Sequence, residues 1–338
     1  MEEWQRALLA WYRETSRPLP WRGEKDPYRI LVAEVLLQQT RTAQAIPYYH
    51  RFLARFPSLK ALREAPLEEV LKVWQGVGYY RRALYLHRLA QEVEALPKGY
   101  SQLLKLPGLG PYTAAAVASL AFGERVAVVD GNVKRVLSRL FALEDPKPKP
   151  LWSFAQDLLP LGVDPGEWNQ ALMDLGATVC LPSSPLCSRC PVASFCQGRD
   201  DPRRYPGAKK RNVGEEYLAA LVLWGTEGIY LERLHGRFHG LYGVPLVPPE
   251  ELPALALAFG VEPRLAGEVR HALTHRRLRV TVYVALWPGE GAASRRGKLS
   301  RAGEKPLPKL MEKVLRQAEA FLAHEGIVPF PHAKPHRV

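Results

Sequence analysis

Long apolar runs are missing from this chain of 338 residues. Its longest nearly unbroken apolar stretches, around 113–122 and 217–224, fall well short of the ~18 residues that span a bilayer. The N-terminus, Met1-Glu2-Glu3-Trp4, lacks the basic and apolar regions of a secretory signal. A soluble, intracellular protein without membrane attachment is expected. Acidic residues are in deficit: 34 Asp and Glu stand against 47 Lys and Arg, a net charge of +13. Such a surplus favours a polyanionic partner, of which nucleic acid is the commonest, over a mere solubility surplus. Cysteine occurs only four times, which excludes a disulfide scaffold. Apolar residues at 47% and charged residues at 24% exclude a mostly disordered chain, and the length leaves room for about two domains.

All four cysteines fall in one loop. Cys180, Cys187, Cys190 and Cys196 are spaced C-x6-C-x2-C-x5-C. Four thiolates brought together suit a tetrahedral metal or a cubane iron–sulfur cluster, and spacing alone does not separate them. Leu181-Pro182-Ser183-Ser184-Pro185-Leu186 cannot form regular structure, so a metal centre would organise it. The spacing resembles the C-terminal cluster loop of endonuclease III-type DNA glycosylases. That resemblance implies a [4Fe–4S] cluster with no part in base excision itself. Arg189, Arg199, Arg203 and Arg204 are read as phosphate contacts, or as a solvated basic loop.

Residues 1–198 read as helical. Asp26-Pro27 is a cap followed by a first-turn proline; 28–56 then runs helix-favouring, with Pro47 expected to break it. Further helices are expected at 67–74, 81–95, 101–106, 112–122, 132–141 and 167–179. Residues 199–214 form a basic Gly/Pro-rich linker. Beyond it, 216–224, 229–234 and 279–287 read as strands, with helices at 250–259 and 307–324. The domain reading is therefore a helical domain 1–198, a linker 199–214, a smaller α+β domain 215–325 and a tail 326–338.

Leu106-Pro107-Gly108-Leu109-Gly110-Pro111-Tyr112-Thr113-Ala114 is a helix–hairpin–helix signature. Gly108 and Gly110 can expose backbone N–H groups, and the next helix adds its positive end, so the turn can hold one DNA phosphate. Val128-Val129-Asp130-Gly131-Asn132-Val133-Lys134-Arg135 follows. Hairpin and aspartate together resemble the helix–hairpin–helix glycosylase superfamily. Cleaving an N-glycosidic bond passes through an oxocarbenium-like state, and the leaving base needs a proton. Two carboxyls with opposed pKa values are therefore expected. Glu34, inside Ile30-Leu31-Val32-Ala33-Glu34-Val35-Leu36-Leu37, should be raised by desolvation and act as the acid. Asp130, before a helix and near Lys134 and Arg135, should stay ionised.

Residues 26–40, Leu19-Pro20-Trp21-Arg22 and Trp74-Gln75-Gly76-Val77-Gly78-Tyr79-Tyr80 closely resemble MutY-type adenine DNA glycosylases. The resemblance runs over essentially the whole chain. It implies a multidomain protein: an all-α helix–hairpin–helix glycosylase domain with an iron–sulfur loop, plus a smaller α+β Nudix-like C-terminal domain. It implies a base-excision repair enzyme that flips out and hydrolytically removes adenine opposite 8-oxoguanine or guanine, acting as a monomer on double-stranded DNA and nucleoid-associated if bacterial. Glu34 resembles the general acid, Asp130 the residue stabilising the oxocarbenium ion, and Asn132 its assistant. Tyr112 stands where bifunctional relatives carry a Schiff-base lysine, implying a monofunctional hydrolase. Arg17, Trp21, Arg22 and Gln170 resemble the adenine pocket, with Gln170 replacing a frequent glutamate. Gln39 and Tyr79 resemble the residues that fill the gap and wedge beside the orphan base. Leu273-Thr274-His275 stands where the family usually has Phe-Ser-His, with Thr274 and His275 facing 8-oxoguanine. No acid-rich Nudix catalytic box occurs in 215–338. The rivals are a bifunctional thymine-glycol-type glycosylase/lyase and a non-enzymatic DNA-binding module.

Overall fold

The computed structural model describes residues 1–207, 214–225, 228–273, 276–287, 297–300 and 304–327. The chain divides into two compact units: Met1–Glu64 with Tyr85–Lys210, and Ala65–Leu84 with Arg211–Val338. The excursion of Ala65–Leu84 into the second unit departs from the sequence reading, which ran the helical domain unbroken from 1 to 198.

The first unit is helical: α1 (Glu3–Thr15), α2 (Pro27–Leu37), α3 (Thr42–Arg55), α4 (Leu59–Glu64), and, beyond α5 (Leu67–Val73) of the second unit, α6 (Arg81–Glu92), which leads back into it. It continues with α7 (Tyr100–Leu103), α8 (Pro111–Phe122), α9 (Gly131–Leu140), α10 (Pro148–Asp157) and α11 (Pro165–Thr178). The Asp26 side chain accepts from Tyr28 N and Pro27 opens the first turn of α2, as the sequence predicts. Pro47, however, lies inside α3. The missing hydrogen bond is offset by burial of Ala45, Tyr49 and Phe52 along one face. The break falls instead at residues 38–41, where Gln39 adopts φ 60°. Leu31, Val32 and Leu36 of α2 and Ala114–Ala118 of α8 are buried, and these two helices pack together. A second core joins α1, α9 and α11 around Trp4, Leu8, Leu137 and Trp168.

The second unit holds α5 and a mixed sheet. Its described strands are β1 (Gly214–Trp224), β2 (Ile229–Arg233), β3 (Tyr242–Gly243), β4 (Leu246–Val247), β5 (Arg264–Ala272), β6 (Arg276–Leu286) and β7 (Gly297–Ser300). The order is β3-β2-β1-β6-β5, with β4 on β1 and β7 on β2. β1 runs parallel to β6 from Gly214↔Arg276 to Trp224↔Leu286. α12 (Leu252–Phe259) covers one face through Leu252 and Phe259, and α13 (Lys309–His324) the other through Leu310, Met311, Val314 and Ala318. The sequence reading did not place α1, α4, α10, β3, β4, β5 or β7. β5 reads poorly because its burial alternates irregularly about a bulge at Leu265/Gly267.

The hairpin before α8 separates its two glycines. Gly108 has φ +79°, and a Cβ there would meet Tyr85 Cβ at 2.4 Å. Gly110 is extended, caps α8 without a side-chain bond, and faces open space. Only Gly108 is required by the backbone. Gly108→Ala is therefore expected to cost roughly 1–3 kcal/mol, whereas Gly110→Ala should stay within about 0.5 kcal/mol. Urea unfolding of both variants checks this, and equal losses would refute it.

Candidate active site

Glu34 sits on the third turn of α2, flanked by apolar neighbours, and is 3% exposed. Its Oε2 accepts from the Tyr112 hydroxyl at 2.5 Å, across the α2–α8 contact. One residue on, Gln38 Nε2 donates to Thr113 Oγ1 at 2.9 Å and rivets the same two helices. Burial pushes the Glu34 carboxyl up to about 7, with the nearby Asp130 charge adding to the rise. The Tyr112 hydrogen bond and the Arg22 charge oppose it. Tyr112 is in turn held well above its ordinary value, chiefly by burial and then by Glu34 and Asp130. The phenol thus stays a donor, and the pair favours a carboxyl that carries its proton to near neutrality.

Asp130 is the N-cap of α9. Its Oδ1 accepts from Val133 N at 2.7 Å and its Oδ2 from Asn132 Nδ2 at 3.0 Å. The sequence reading named only the influences that favour the charged form. Burial raises the Asp130 carboxyl, outweighing the hydrogen bonds of Val133 and Asn132 and the charge of Arg135, all of which lower it. A helix N-terminus and a nearby cation do not guarantee a low pKa when the same fold strips the carboxylate of water.

Behind Asp130 runs a chain of bonds the sequence does not disclose. Asn132 Oδ1 accepts from Arg135 Nη2 at 2.8 Å. Arg135 also donates to Gly176 O and to Cys180 O, both at 2.7 Å. Gly176 is needed for this approach, because a Cβ would stand 2.6 Å from Asn132 Cβ. Arg139, one turn further along α9, donates to Leu181 O at 2.7 Å and Pro182 O at 2.8 Å, and lies 3.4 Å from Cys180 Sγ. α9 therefore carries the aspartate at its start and grips the cysteine loop with its second and third turns.

That loop contains short 3₁₀ turns at Cys187–Arg189 and Ala193–Phe195. Cys180, Cys187, Cys190 and Cys196 are unbridged and half-buried, and together line one cavity with Arg139, Val179 and Pro185. Burial pushes the Cys190 thiol up to about 11. Among the described residues, no three His, Cys, Asp or Glu side chains stand together closely enough to hold one metal ion. Arg204 pairs with Glu144, while Arg189 is exposed.

Arg17 and Arg22 converge on Asp174, each with a guanidinium nitrogen 2.5 Å from Oδ1. Asp174 is almost wholly buried and was missed by sequence reasoning. The available signal was its place one helical turn after Gln170 on α11. Gln170 Oε1 accepts from Tyr12 OH at 2.7 Å, and that hydroxyl accepts from Arg22 at 3.0 Å. The Arg22 charge is felt at both Glu34 and Tyr112, which places this polar group beside the acid. Trp21 is buried edge-on against Tyr49, ring centres 5.3 Å apart. Gln39 is exposed, in the left-handed turn after α2.

Tyr79, in the second unit, is 49% exposed at φ 47°, while Tyr80 is 9% exposed and bonds to Leu307 O. Of these two adjacent aromatics, Tyr80 is core and Tyr79 is exposed. Gln39, Tyr79 and Ala142 are the non-glycine residues of positive φ among those described. Two of these three are residues singled out from sequence, and strained backbone collects at functional positions. Thr274 and His275 lie outside the described residues.

Residues 32–160 match the family model described as HhH-GPD superfamily base excision DNA repair protein. The chain is 44% identical over 242 residues to the adenine DNA glycosylase of Homo sapiens, covering 66% of this chain and 42% of that protein. It is 38% identical over 199 residues to that of Buchnera aphidicola subsp. Baizongia pistaciae, covering 56% of each. The chain thus spans about half the length of the curated relatives it matches. A thermostable thymine-DNA glycosylase structure aligns with TM-score 0.55 at 32% identity, over 58% of this chain and 94% of that one. An endonuclease III solved as a non-covalent DNA complex aligns with TM-score 0.51 at 25% identity, over 59% of this chain and 95% of that one. With a hairpin, a capping aspartate and a four-cysteine loop on a shared helical fold, the chain belongs to the HhH-GPD superfamily of base excision DNA repair proteins, within its MutY-type group.

Proposed function

We propose that the protein binds double-stranded DNA as a monomer and hydrolytically removes adenine mispaired with 8-oxoguanine or guanine, as a monofunctional glycosylase. The observation that carries this reading is the buried Glu34 carboxyl, raised to about 7 and held by the Tyr112 phenol. Glu34 donates its proton to adenine N7. The C1′–N9 bond breaks with its electron pair leaving on the base. The Asp130 carboxylate faces the oxocarbenium ion and stabilises its charge. Glu34, now a carboxylate, takes a proton from the water that adds hydroxide at C1′. A phenol at position 112 cannot form an imine with the sugar, which supports hydrolysis without strand cleavage. Arg17, Trp21, Arg22 and Gln170 are assigned to the adenine pocket. The uncapped start of α8 with Gly108 and Gly110 is assigned to one phosphate. Gln39 and Tyr79 are assigned to the space beside the orphan base.

The second unit is assigned to recognition of the oxidised guanine, as a Nudix-like domain. Its mixed sheet with a parallel β1–β6 pair and helices on both faces is compatible with that assignment. The family-typical Phe is replaced by Leu273, which packs against the sheet core instead of offering a ring.

The four thiols fit the [4Fe–4S] cluster that the resemblance to endonuclease III-type glycosylases implies. All four line a shared cavity, which supports one common centre for them. Cys180, Cys187, Cys190 and Cys196 would hold it. Bound there, the cluster supplies a rigid, redox-capable centre that ties the loop together.

Because burial lifts Glu34 above its ordinary value of 4.5, the acid form persists to near neutrality and is lost as pH rises through about 7. Single-turnover adenine excision should therefore fall about tenfold per pH unit on the alkaline side. Tyr112→Phe removes a bond that lowers this pKa and should move the limb to higher pH. Glu34→Gln should lose roughly 10²–10⁴-fold in rate with duplex binding retained. Hot alkali reports abasic sites in duplexes with A opposite 8-oxoguanine, G or T. Full activity of Glu34→Gln, or cleavage without alkali, would overturn the mechanism. For the cluster, the purified protein should be brown and contain about four iron and four sulfide per chain. A colourless, active preparation with one zinc would refute that assignment.

A further inference from the structure

The turn that carries Tyr79 is built by residues far away in sequence. Gly76 and Gly78 take φ 93° and 80°, and Tyr79 follows at 47°. Three positive φ values within four residues need an outside frame, because β-carbon sterics disfavour the last of them. Part of the frame is local: Trp74 Nε1 donates to Gly78 O at 3.1 Å, and the buried Arg82 donates to the same oxygen at 3.2 Å beneath the Tyr79 ring. The rest comes from the C-terminal segment. Gln75 Nε2 donates to Glu312 Oε1 on α13 at 3.0 Å. Tyr80 OH donates to Leu307 O at 3.1 Å, just before that helix. Lys305 pairs with Glu68 on α5 at 2.9 Å. On its other side α13 is clamped to β5, by Gln317 Nε2 to Ala266 O at 2.7 Å and Lys313 Nζ to Arg270 O at 2.9 Å.

We infer that α13 and the strap 304–308 are the positioning scaffold for Tyr79, acting through Gln75–Glu312 and Tyr80–Leu307. The inference rests on the proposed role of Tyr79 beside the orphan base. It assigns to the second unit a task separate from any base contact of its own: holding a strained turn so that its exposed tyrosine is ready to enter the stack. Neither Glu312 nor Leu307 is a catalytic residue in this scheme.

The test uses the full chain and a duplex with 2-aminopurine beside the guanine opposite adenine. Brightening of that probe on binding reports unstacking, and excision in the same duplex reports chemistry separately. Glu312→Ala and Tyr80→Phe should each reduce the bound probe signal roughly fivefold, the equilibrium weight of about one net hydrogen bond. Glu312→Gln, which keeps an acceptor, should restore it. In a Tyr79→Ala background neither change should lower the signal further. Additive losses in that background, or no loss in the native one, would overturn the scaffold role. Absence of adenine excision with an intact Tyr79-dependent signal would overturn the proposed activity and leave the scaffold standing. A wild-type signal that ignores Tyr79→Ala would overturn the scaffold alone.

Discussion

The hydrogen bond from Tyr112 to Glu34 is the interaction around which the helical unit is arranged. A carboxyl group set among leucines and valines on α2 costs free energy unless one partner answers it. α8 supplies that partner at its second position, and Gln38–Thr113 fixes the contact one residue away. The start of α8 is set in turn by the turn at Gly108, whose positive φ and close approach to Tyr85 admit no side chain. The same helix terminus thus offers bare backbone N–H groups to an anion and a phenol to the buried acid, two residues apart. The exposed N–H groups of that terminus and the placement of the acid are geometrically one feature.

The second carboxyl is supported differently. Asp130 caps α9 with one oxygen and holds Asn132 with the other, and Arg135 braces Asn132 from behind while reaching Gly176 and Cys180. Arg139 extends the grip to Leu181 and Pro182. An irregular loop rich in proline and serine has few backbone partners of its own, so two arginines from one helix give its carbonyls their donors. The cysteine loop and the capping aspartate are therefore parts of a single hydrogen-bonded body. Removing one member leaves buried donors or acceptors unpaired at both ends.

In the second unit the same economy of parts recurs. α13 fills the sheet core with Leu310, Met311 and Val314, and its exposed edge bonds both to β5 and to the turn before α6. A segment of only twenty residues, Ala65–Leu84, is thereby drawn out of the helical unit that flanks it in sequence. The alternation of helix and turn in that segment gives no sign of the transfer, because Gln75, Tyr80 and Glu68 find partners more than two hundred residues away.

By itself the sequence determined most helices, the Asp26-Pro27 start, the hairpin, the cysteine spacing and the burial of Glu34. Each of these follows from periodicity, capping or composition within a dozen neighbouring residues. Only the tertiary structure decided that α3 runs through Pro47, that Asp174 gathers Arg17 and Arg22, and that Tyr79 is exposed while Tyr80 is core. It also set the direction of the Asp130 shift, which local chemistry had reversed. The physical reason is common to all four. Burial and pairing are sums over atoms brought together from distant parts of the chain, and no local pattern contains those terms.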